Sequence, residues 1–196
     1  KAVNPDILIL AEHYGDGTAW LQGDEWDTVM NYDAFMEPVT YFLTGMEKHS
    51  DSCNFDLYQN GKAFFDSMLR KMATMQVPSL YSAMNELSNH DHSRFLTRTN
   101  HKVGRVDQLG SEAAGEDISY PVFRLGVMMQ FTWPGAPTLY YGDEAGVVGF
   151  TDPDNRRTYP WGHEDNELIN FHRYLIALRN RHPVFKTGSI KIVDLD

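Results

Sequence analysis

Short runs of consecutive apolar residues alternate along the chain with longer stretches in which apolar residues recur at helical spacing. The short runs predict strands over residues 7–11, 28–32, 81–87 and 138–141. The longer stretches predict helices over residues 63–75, 121–131 and 168–178. Strands that alternate with helices are typical of a parallel sheet, so the pattern predicts an α/β fold.

The alternation amounts to four strand–loop–helix units and a short tail. A complete eight-stranded (β/α)8 barrel needs roughly 250 residues, whereas this chain has 196. Four units in this length predict half of such a barrel. In the tail, apolar and polar residues alternate over 190–195, which predicts one further β element.

In parallel α/β folds the chemistry lies where strands end and loops begin. Glu12 follows the first predicted strand, where partial desolvation would raise the pKa of a carboxyl group and suit it to general acid catalysis. The alternative is a glutamate held in a salt bridge. The other positions of this kind are Tyr32 with Asp33, His90 with Asp91, and residues 142–144.

His90 and Asp91 could bind sugar hydroxyls through charge-assisted hydrogen bonds, although Asp91 could instead cap a helix. Carboxylates at two strand ends of one barrel favour glycoside hydrolysis, which needs flanking carboxylates. His13, His90 and His92 could also be metal ligands. Their spacing does not match a compact zinc site and cysteine partners are absent, so no metal and no cofactor are predicted.

Charge and composition narrow the class of ligand. The formal net charge is −10, from 27 acidic against 17 basic residues, which disfavours nucleic acid, anionic membranes and polyanionic substrates. A neutral polyol is compatible with it, and the 13% of aromatic residues suits stacking on sugars.

The chain has one cysteine, which cannot form an internal disulfide, and no apolar run that could span a membrane. A cytoplasmic location is therefore expected. The chain starts at Lys1, as if cut from a longer protein.

Three ordered segments resemble the α-amylase family of glycoside hydrolases (family 13). Residues 9–12 (ILAE) resemble the fifth-strand segment that ends in the general acid/base, here Glu12. Residues 87–91 (LSNHD) resemble the seventh-strand segment, whose aspartate, here Asp91, stabilises the transition state and whose histidine, here His90, contacts the sugar. Residues 135–146 (GAPTLYYGDEAG) resemble the eighth-strand segment. The chain departs from the family at Ala11, where glycine is usual, and at the following pair, His13 and Tyr14.

Two further segments, residues 20–32 and residues 152–157 with Trp161, are similar to the neopullulanase, cyclomaltodextrinase and maltogenic amylase group. The resemblance implies that Asp152 and Arg156 bind substrate, with Arg157 as the alternative arginine. It also implies substrate contacts for Trp20, near the leaving-group subsites, and for Tyr32. Packing is the alternative role for both tryptophans, and Asp143 and Glu144 are expected to be structural.

The resemblance implies the second half of a (β/α)8 TIM barrel, strands five to eight with their helices. Residues 1–183 would form this C-terminal half of the catalytic domain, and residues 184–196 would begin a truncated C-terminal β domain. The family's nucleophilic aspartate lies on strand four, which would precede Lys1, so the chain alone is predicted to be inactive. A half barrel would expose unpaired strand edges, which predicts either a homodimer or a proteolytic remnant.

The implied activity is retaining hydrolysis of α-glucosidic bonds in malto-oligosaccharides, cyclomaltodextrins, pullulan or starch, all α-glucans. Two alternatives use the same scaffold. One is a transglycosylase, in which a sugar replaces water as the acceptor. The other is a carbohydrate-binding or interaction module without catalysis, against which the joint presence of Glu12, His90 and Asp91 argues.

Overall fold

The computed structural model describes residues 3–193, which contain four short parallel strands. They are β1 (Leu10–Ala11), β2 (Thr28–Val29), β3 (Met84–Asn85) and β4 (Ala136–Pro137). β1 pairs with β2 and β3 pairs with β4, and a parallel bridge between Met30 and Met84 joins the two pairs. The strand order β1-β2-β3-β4 therefore follows the chain, as the predicted α/β fold requires.

Residues 3–193 contain eight α-helices, of which the sequence predicts three. They are α1 (Glu37–Thr44), α2 (Gly61–Thr74), α3 (Val77–Ser82), α4 (Phe95–Arg98), α5 (Val106–Leu109), α6 (Tyr120–Thr132), α7 (Asn166–Arg181) and α8 (Val184–Thr187). The three predicted helices correspond to α2, α6 and α7. Each begins after a favoured N-cap residue whose side chain accepts a backbone N–H: Asn60, Ser119 and Asp165.

The strands are shorter than predicted. The prediction over 138–141 was wrong, because the strand there is Ala136–Pro137 and the tyrosines that follow contact Arg94 instead of a neighbouring strand. Residues 81 and 82, predicted as strand, end helix α3. The first predicted strand is confirmed only at Leu10–Ala11, and Ile7 and Leu8 before it are exposed.

The helices other than α2, α6 and α7 were not predicted, and the longest unpredicted helical segment follows β2. The chain leaves β2 and forms a π-helical turn over Tyr32–Met36, which continues into α1. Most of its side chains are buried, and the less buried residues Asp33, Glu37 and Tyr41 lie four residues apart, so its polar stripe is narrow. The core lies between α1, α2, α6 and α7, each of which contributes buried apolar side chains, among them Val39, Met68, Phe123 and Leu175.

The tail is helical where it begins. Residues 184–187 form α8, and residues 188–193 contain no strand, so the β element predicted over 190–195 is absent from its described part. Residues 194 and 195 lie outside the described residues, and the domain boundary at 183 stays a prediction. Across residues 3–193, none of the helices is both long and apolar enough to cross a membrane.

Candidate active site

Glu12 and Tyr32 meet at the ends of two neighbouring strands. Glu12 follows β1 and Tyr32 lies just beyond β2, and the register of the two strands pairs Ala11 with Val29. The Tyr32 hydroxyl donates to Oε1 of Glu12 over 2.8 Å. Tyr32 is 1% exposed, whereas the Glu12 side chain is 37% exposed. A buried donor therefore holds one carboxylate oxygen while the carboxyl group stays open to ligand.

His90 and Asp91 reach the same place from the loop that follows β3. Nε2 of His90 lies 3.5 Å from Oε1 of Glu12 and 3.5 Å from Oδ1 of Asp91. Asp91 does not cap the following helix, because α4 begins at Phe95, its N-cap residue is Arg94, and no side chain caps it. The imidazole of His90 thus lies between two carboxylates, all three side chains being about 40% exposed.

Asn89 fixes the direction of the hydrogen bonds at this site. Its Oδ1 accepts from the backbone N–H groups of Asp91 and His92, at 3.0 and 2.9 Å. Its Nδ2 therefore supplies both remaining hydrogens, one to the Tyr32 hydroxyl oxygen at 2.8 Å and one to Oε1 of Glu86 at 3.2 Å. All four hydrogen-bonding positions of this buried amide are used, so it has one orientation.

This orientation determines which oxygen of Glu12 can carry a proton. Because the Tyr32 oxygen accepts from Asn89, its own O–H is free to donate to Oε1 of Glu12. Burial, with the nearby charge of Glu86 and the bond to Glu12, raises the pKa of Tyr32 well above its ordinary value, so the phenol keeps that hydrogen. An acidic proton on Glu12 therefore belongs on Oε2.

Tyr14 and His92 line the other side of Asp91. The Tyr14 hydroxyl lies 3.5 Å from Oδ2 of Asp91 and 3.2 Å from Nε2 of His92. Burial, together with the nearby cations of Arg98 and Lys48, lowers the pKa of His92 to about 2, so its ring is neutral. Burial and the charge of Asp91 raise the pKa of Tyr14 to about 12.

Glu86 is a third carboxyl group behind the site and is 2% exposed. Its burial raises its pKa to about 8; the charges of Glu12 and Asp143 act in the same direction, while Asn89 and Arg98 oppose them. Glu86 therefore carries a proton at neutral pH.

Asp152 and Arg156 lie at the exposed edge of the site, next to Asp91. Nε of Arg156 lies 2.6 Å from Oδ1 of Asp152 and donates to the backbone carbonyl of His90 at 3.2 Å. Its Nη2 is 4.0 Å from Oδ1 of Asp91. Arg157 instead pairs with Asp154 and faces Ser111, so Arg156 is the arginine next to Asp91.

The two tryptophans differ in their surroundings. Trp20 is 36% exposed, stacks on Trp26 at 5.0 Å, and has an edge contact with His13, the neighbour of Glu12. Trp161 is 80% exposed and contacts Tyr159, which argues against packing as its role. Neither ring contacts Glu12 or Asp91 among the described ring and hydrogen-bond contacts.

Two of the acidic residues near β4 have structural partners, as expected. Asp143 is buried and forms an ion pair of 2.9 Å with the fully buried Arg94. Glu144 accepts from the backbone N–H of Gly142 at 3.0 Å. Asp33, a neighbour of Tyr32, pairs with Lys71 and so does not reach Glu12.

Glu12, His90 and Asp91 each bring one possible ligand atom within 4.8 Å of the others, a geometry that a cation could also use. A cation there would compete with Arg156, which approaches the same Asp91 oxygen. Glu47, His49 and Asp51 form a second group of this kind. Lys48 and Arg105 already neutralise its carboxylates.

The sequence matches the family description "Alpha amylase, catalytic domain" over residues 1–167. The chain belongs to the alpha-amylase family. Amylopullulanase of Thermoanaerobacter thermohydrosulfuricus is 36% identical over 192 residues, which are 97% of this chain and 13% of that enzyme. Neopullulanase 2 of Thermoactinomyces vulgaris is 36% identical over 195 residues, 97% of this chain and 28% of the relative.

Solved structures of alpha-amylase family enzymes also superpose on this chain. The debranching enzyme of Nostoc punctiforme superposes with a TM-score of 0.76 at 30% identity, over 96% of this chain and 36% of that enzyme. Cyclic alpha-maltosyl-(1→6)-maltose hydrolase of Arthrobacter globiformis, in complex with its cyclic sugar, gives 0.75 at 28% identity, over 100% and 38%. The chain thus corresponds to part of a TIM barrel and spans well under half the length of these relatives.

The structure brings together most of the predicted alpha-amylase site. Glu12, Tyr32, His90, Asp91, Asp152 and Arg156 form one connected group, and Trp20 lies beside it through His13. Sequence reasoning missed Asn89, Glu86 and Tyr14. Asn89 lies inside a recognised segment, and Glu86 is the one charged residue of the predicted strand 81–87, which was the available signal for it.

Proposed function

We propose that the complete protein is a retaining glycoside hydrolase of α-glucosidic bonds, with Glu12 as its general acid/base. The observation that carries this proposal is the convergence of Glu12, His90 and Asp91 at the ends of β1 and β3. Two carboxylates bridged by an imidazole suit a positively charged transition state flanked by hydroxyl groups. Membership of the alpha-amylase family supports it.

In the proposed reaction the proton on Oε2 of Glu12 passes to the departing glycosidic oxygen. Tyr32 keeps Oε1 occupied, so the proton has a single site on this carboxyl group. A nucleophilic carboxylate from barrel strand four attacks the anomeric carbon. Retaining enzymes hold the two carboxyl groups about 5–5.5 Å apart. Glu12 then takes a proton from water while the water oxygen bonds to the anomeric carbon, and the bond from that carbon to the nucleophilic carboxylate breaks, which releases the sugar.

Asp91 and His90 hold ring hydroxyls and stabilise the oxocarbenium-like state, and Asp152 with Arg156 binds the non-reducing side of the substrate. The 2.6 Å pair of Arg156 and Asp152 presents a preformed donor and acceptor next to Asp91. Residues 1–183 are proposed to be the second half of the barrel, strands five to eight, because their three segments follow the family order. Trp20 is proposed to contact the leaving-group side.

The proposed substrates are α-glucans that contain α-1,4 or α-1,6 bonds. Relatives of this chain include amylopullulanases, neopullulanase 2 and cyclomaltodextrinases, and one structural relative hydrolyses a cyclic maltosyl-maltose. Pullulan, cyclomaltodextrins and malto-oligosaccharides are therefore the substrates to test first. The negative charge of the chain suits a neutral sugar.

The test is product analysis with the complete protein on cyclomaltodextrin and pullulan. The wild type should release maltose, panose or glucose, and Glu12→Gln should release none while it still binds sugar. Glu167→Gln, in an 86% exposed glutamate, is the matched control and should behave as the wild type. Products from Glu12→Gln at the wild-type rate would refute its role. Bound sugar with no products from any variant would favour a carbohydrate-binding module, and elongated products would identify a transglycosylase.

A further inference from the structure

Glu86 has no part in the proposed reaction, yet it is a carboxylic acid placed inside the domain. It lies directly after β3, is 2% exposed, and accepts from Nδ2 of Asn89 at 3.2 Å. Within residues 3–193, no lysine, arginine or histidine forms an ion pair with it. A buried carboxyl group without such a partner destabilises a fold.

An apolar side chain of similar size would fill this position at lower cost to stability, so packing does not explain the carboxyl group. Burial keeps Glu86 protonated at neutral pH, since its pKa is raised to about 8. Its Oε1 can then act as a neutral acceptor without adding a third negative charge to the site of Glu12 and Asp91. Residues that lower stability in this manner tend to occur at functional sites.

Hydrogen bonds connect Glu86 with Glu12 in three steps. Glu86 accepts one hydrogen of Asn89 Nδ2, and the Tyr32 oxygen accepts the other. The Tyr32 hydroxyl then donates to Oε1 of Glu12. If Glu86 cannot accept, one Asn89 hydrogen stays unpaired in a buried site, and the amide can rotate toward another partner. Tyr32 would then lose the fixed donor that leaves its own hydrogen directed at Glu12.

We propose that Glu86 is a positioning residue for Glu12, acting through the amide of Asn89 and the hydroxyl of Tyr32. This inference rests on the proposed role of Glu12. It assigns Glu86 no contact with the sugar, so it predicts an effect on turnover and little effect on substrate affinity.

The test compares Glu86→Leu, which cannot accept a hydrogen bond, with Glu86→Gln, which can, in the complete protein with cyclomaltodextrin as substrate. Glu86→Leu should lower kcat about tenfold with KM within about twofold, the effect of losing one hydrogen bond at the transition state. Glu86→Gln should keep kcat within about twofold, because its amide oxygen replaces the acceptor. Tm values show whether each variant is folded.

A double-mutant cycle tests the route through Tyr32. In a Tyr32→Phe background, Glu86→Leu should change kcat by less than about twofold, because the hydroxyl through which it acts is gone. An equal loss with and without the Tyr32 hydroxyl would overturn the inference, and so would normal kcat in Glu86→Leu. Glu86→Met is a second apolar variant. Failure of both apolar variants to fold would make Glu86 a structural residue, which also overturns the inference.

The two proposals fail in different ways. If the wild type has no activity, or Glu12→Gln is fully active, the proposed function is wrong whatever the Glu86 variants do. If the wild type is active, Glu12→Gln is inactive and Glu86→Leu is normal, only the role of Glu86 is wrong.

Discussion

The Tyr32 hydroxyl donates to Oε1 of Glu12 over 2.8 Å, although 20 residues separate the two in the chain. The parallel pairing of β1 with β2 brings them together, because Glu12 lies just after the end of β1 and Tyr32 just after the end of β2. Asn89, from the loop after β3, then fixes the hydroxyl from the far side. Three neighbouring strand ends thus define the environment of one carboxyl group.

Replacement of Tyr32 by phenylalanine should lower kcat of the complete protein about tenfold, because one hydrogen bond to Glu12 is lost. The ring remains, so the variant should fold. Steady-state kinetics on cyclomaltodextrin measure the effect. Tyr174→Phe, in a tyrosine that is 63% exposed, is the matched control and should leave kcat unchanged. Unaltered kcat in Tyr32→Phe would show that this hydrogen bond does not assist turnover.

Glu86 makes the stability of the wild type depend on pH. Its pKa is 4.5 in an unfolded chain and about 8 in the fold, so the folded state holds an extra proton between these values. The stabilisation of the fold by this extra proton is complete below about pH 4.5 and is lost as the pH rises to about 8. Each pKa unit corresponds to about 1.4 kcal/mol, which makes the total change a few kcal/mol.

Glu86→Gln removes this titration. The stability of the variant relative to the wild type should therefore rise between about pH 5 and pH 8 and stay constant at higher pH. Denaturant unfolding of both proteins at a series of pH values measures the difference. A difference that is independent of pH over this range would mean that Glu86 is ionised in the fold at neutral pH.

Asp143→Ala should lower stability by about 3–5 kcal/mol, because it leaves the buried guanidinium of Arg94 without its counter-ion. The control is Asp66→Ala, which breaks the exposed pair with Lys62 and should cost less than about 1 kcal/mol. Chemical denaturation gives both values. Equal stability losses in the two variants would contradict the structural role of Asp143.

Trp20→Ala and Trp161→Ala should separate packing from binding. Trp20 stacks on Trp26, so its loss should cost about 1 kcal/mol of stability and should raise KM for longer malto-oligosaccharides. Trp161 is 80% exposed, so its loss should change stability by less than about 0.5 kcal/mol. Thermal unfolding and kinetics against chain length check both. A large stability loss in Trp161→Ala would restore packing as its role.

Sequence patterns predicted the elements that have one apolar face and a clear beginning. Helices α2, α6 and α7 met both conditions, since each has an N-cap residue. The segment Tyr32–Thr44 follows its strand directly without a capping side chain, and only the narrow stripe of Asp33, Glu37 and Tyr41 marks its helical period. The last strand was misplaced because tyrosines are typical of strands, whereas the rings of Tyr140 and Tyr141 pack against the guanidinium of Arg94.

The residues of the candidate site also fall into those that the sequence predicts and those that only the fold identifies. Residues in recognisable segments, such as Glu12, His90 and Asp91, could be predicted from the sequence. The role of Asn89 could not, because it depends on four partners, and one of them, Tyr32, lies 57 residues away in the chain. For Glu86 the sequence shows the one charged residue of the stretch 81–87, but only the fold shows that no lysine, arginine or histidine within residues 3–193 forms an ion pair with it.

Arg94 limits how the loop beside the candidate site can vary in length. Its guanidinium donates to the carbonyls of Tyr141 and Asn155 while its backbone N–H donates to the carbonyl of Gly149. Asn155 in turn donates to the carbonyls of Asn89 and His92. The loop that carries Asp152 and Arg156 is therefore locked to the segment that carries Asp91. Exchange of exposed side chains on this loop would leave these bonds intact, whereas insertions or deletions in the loop would displace the segment of Asp91 as well.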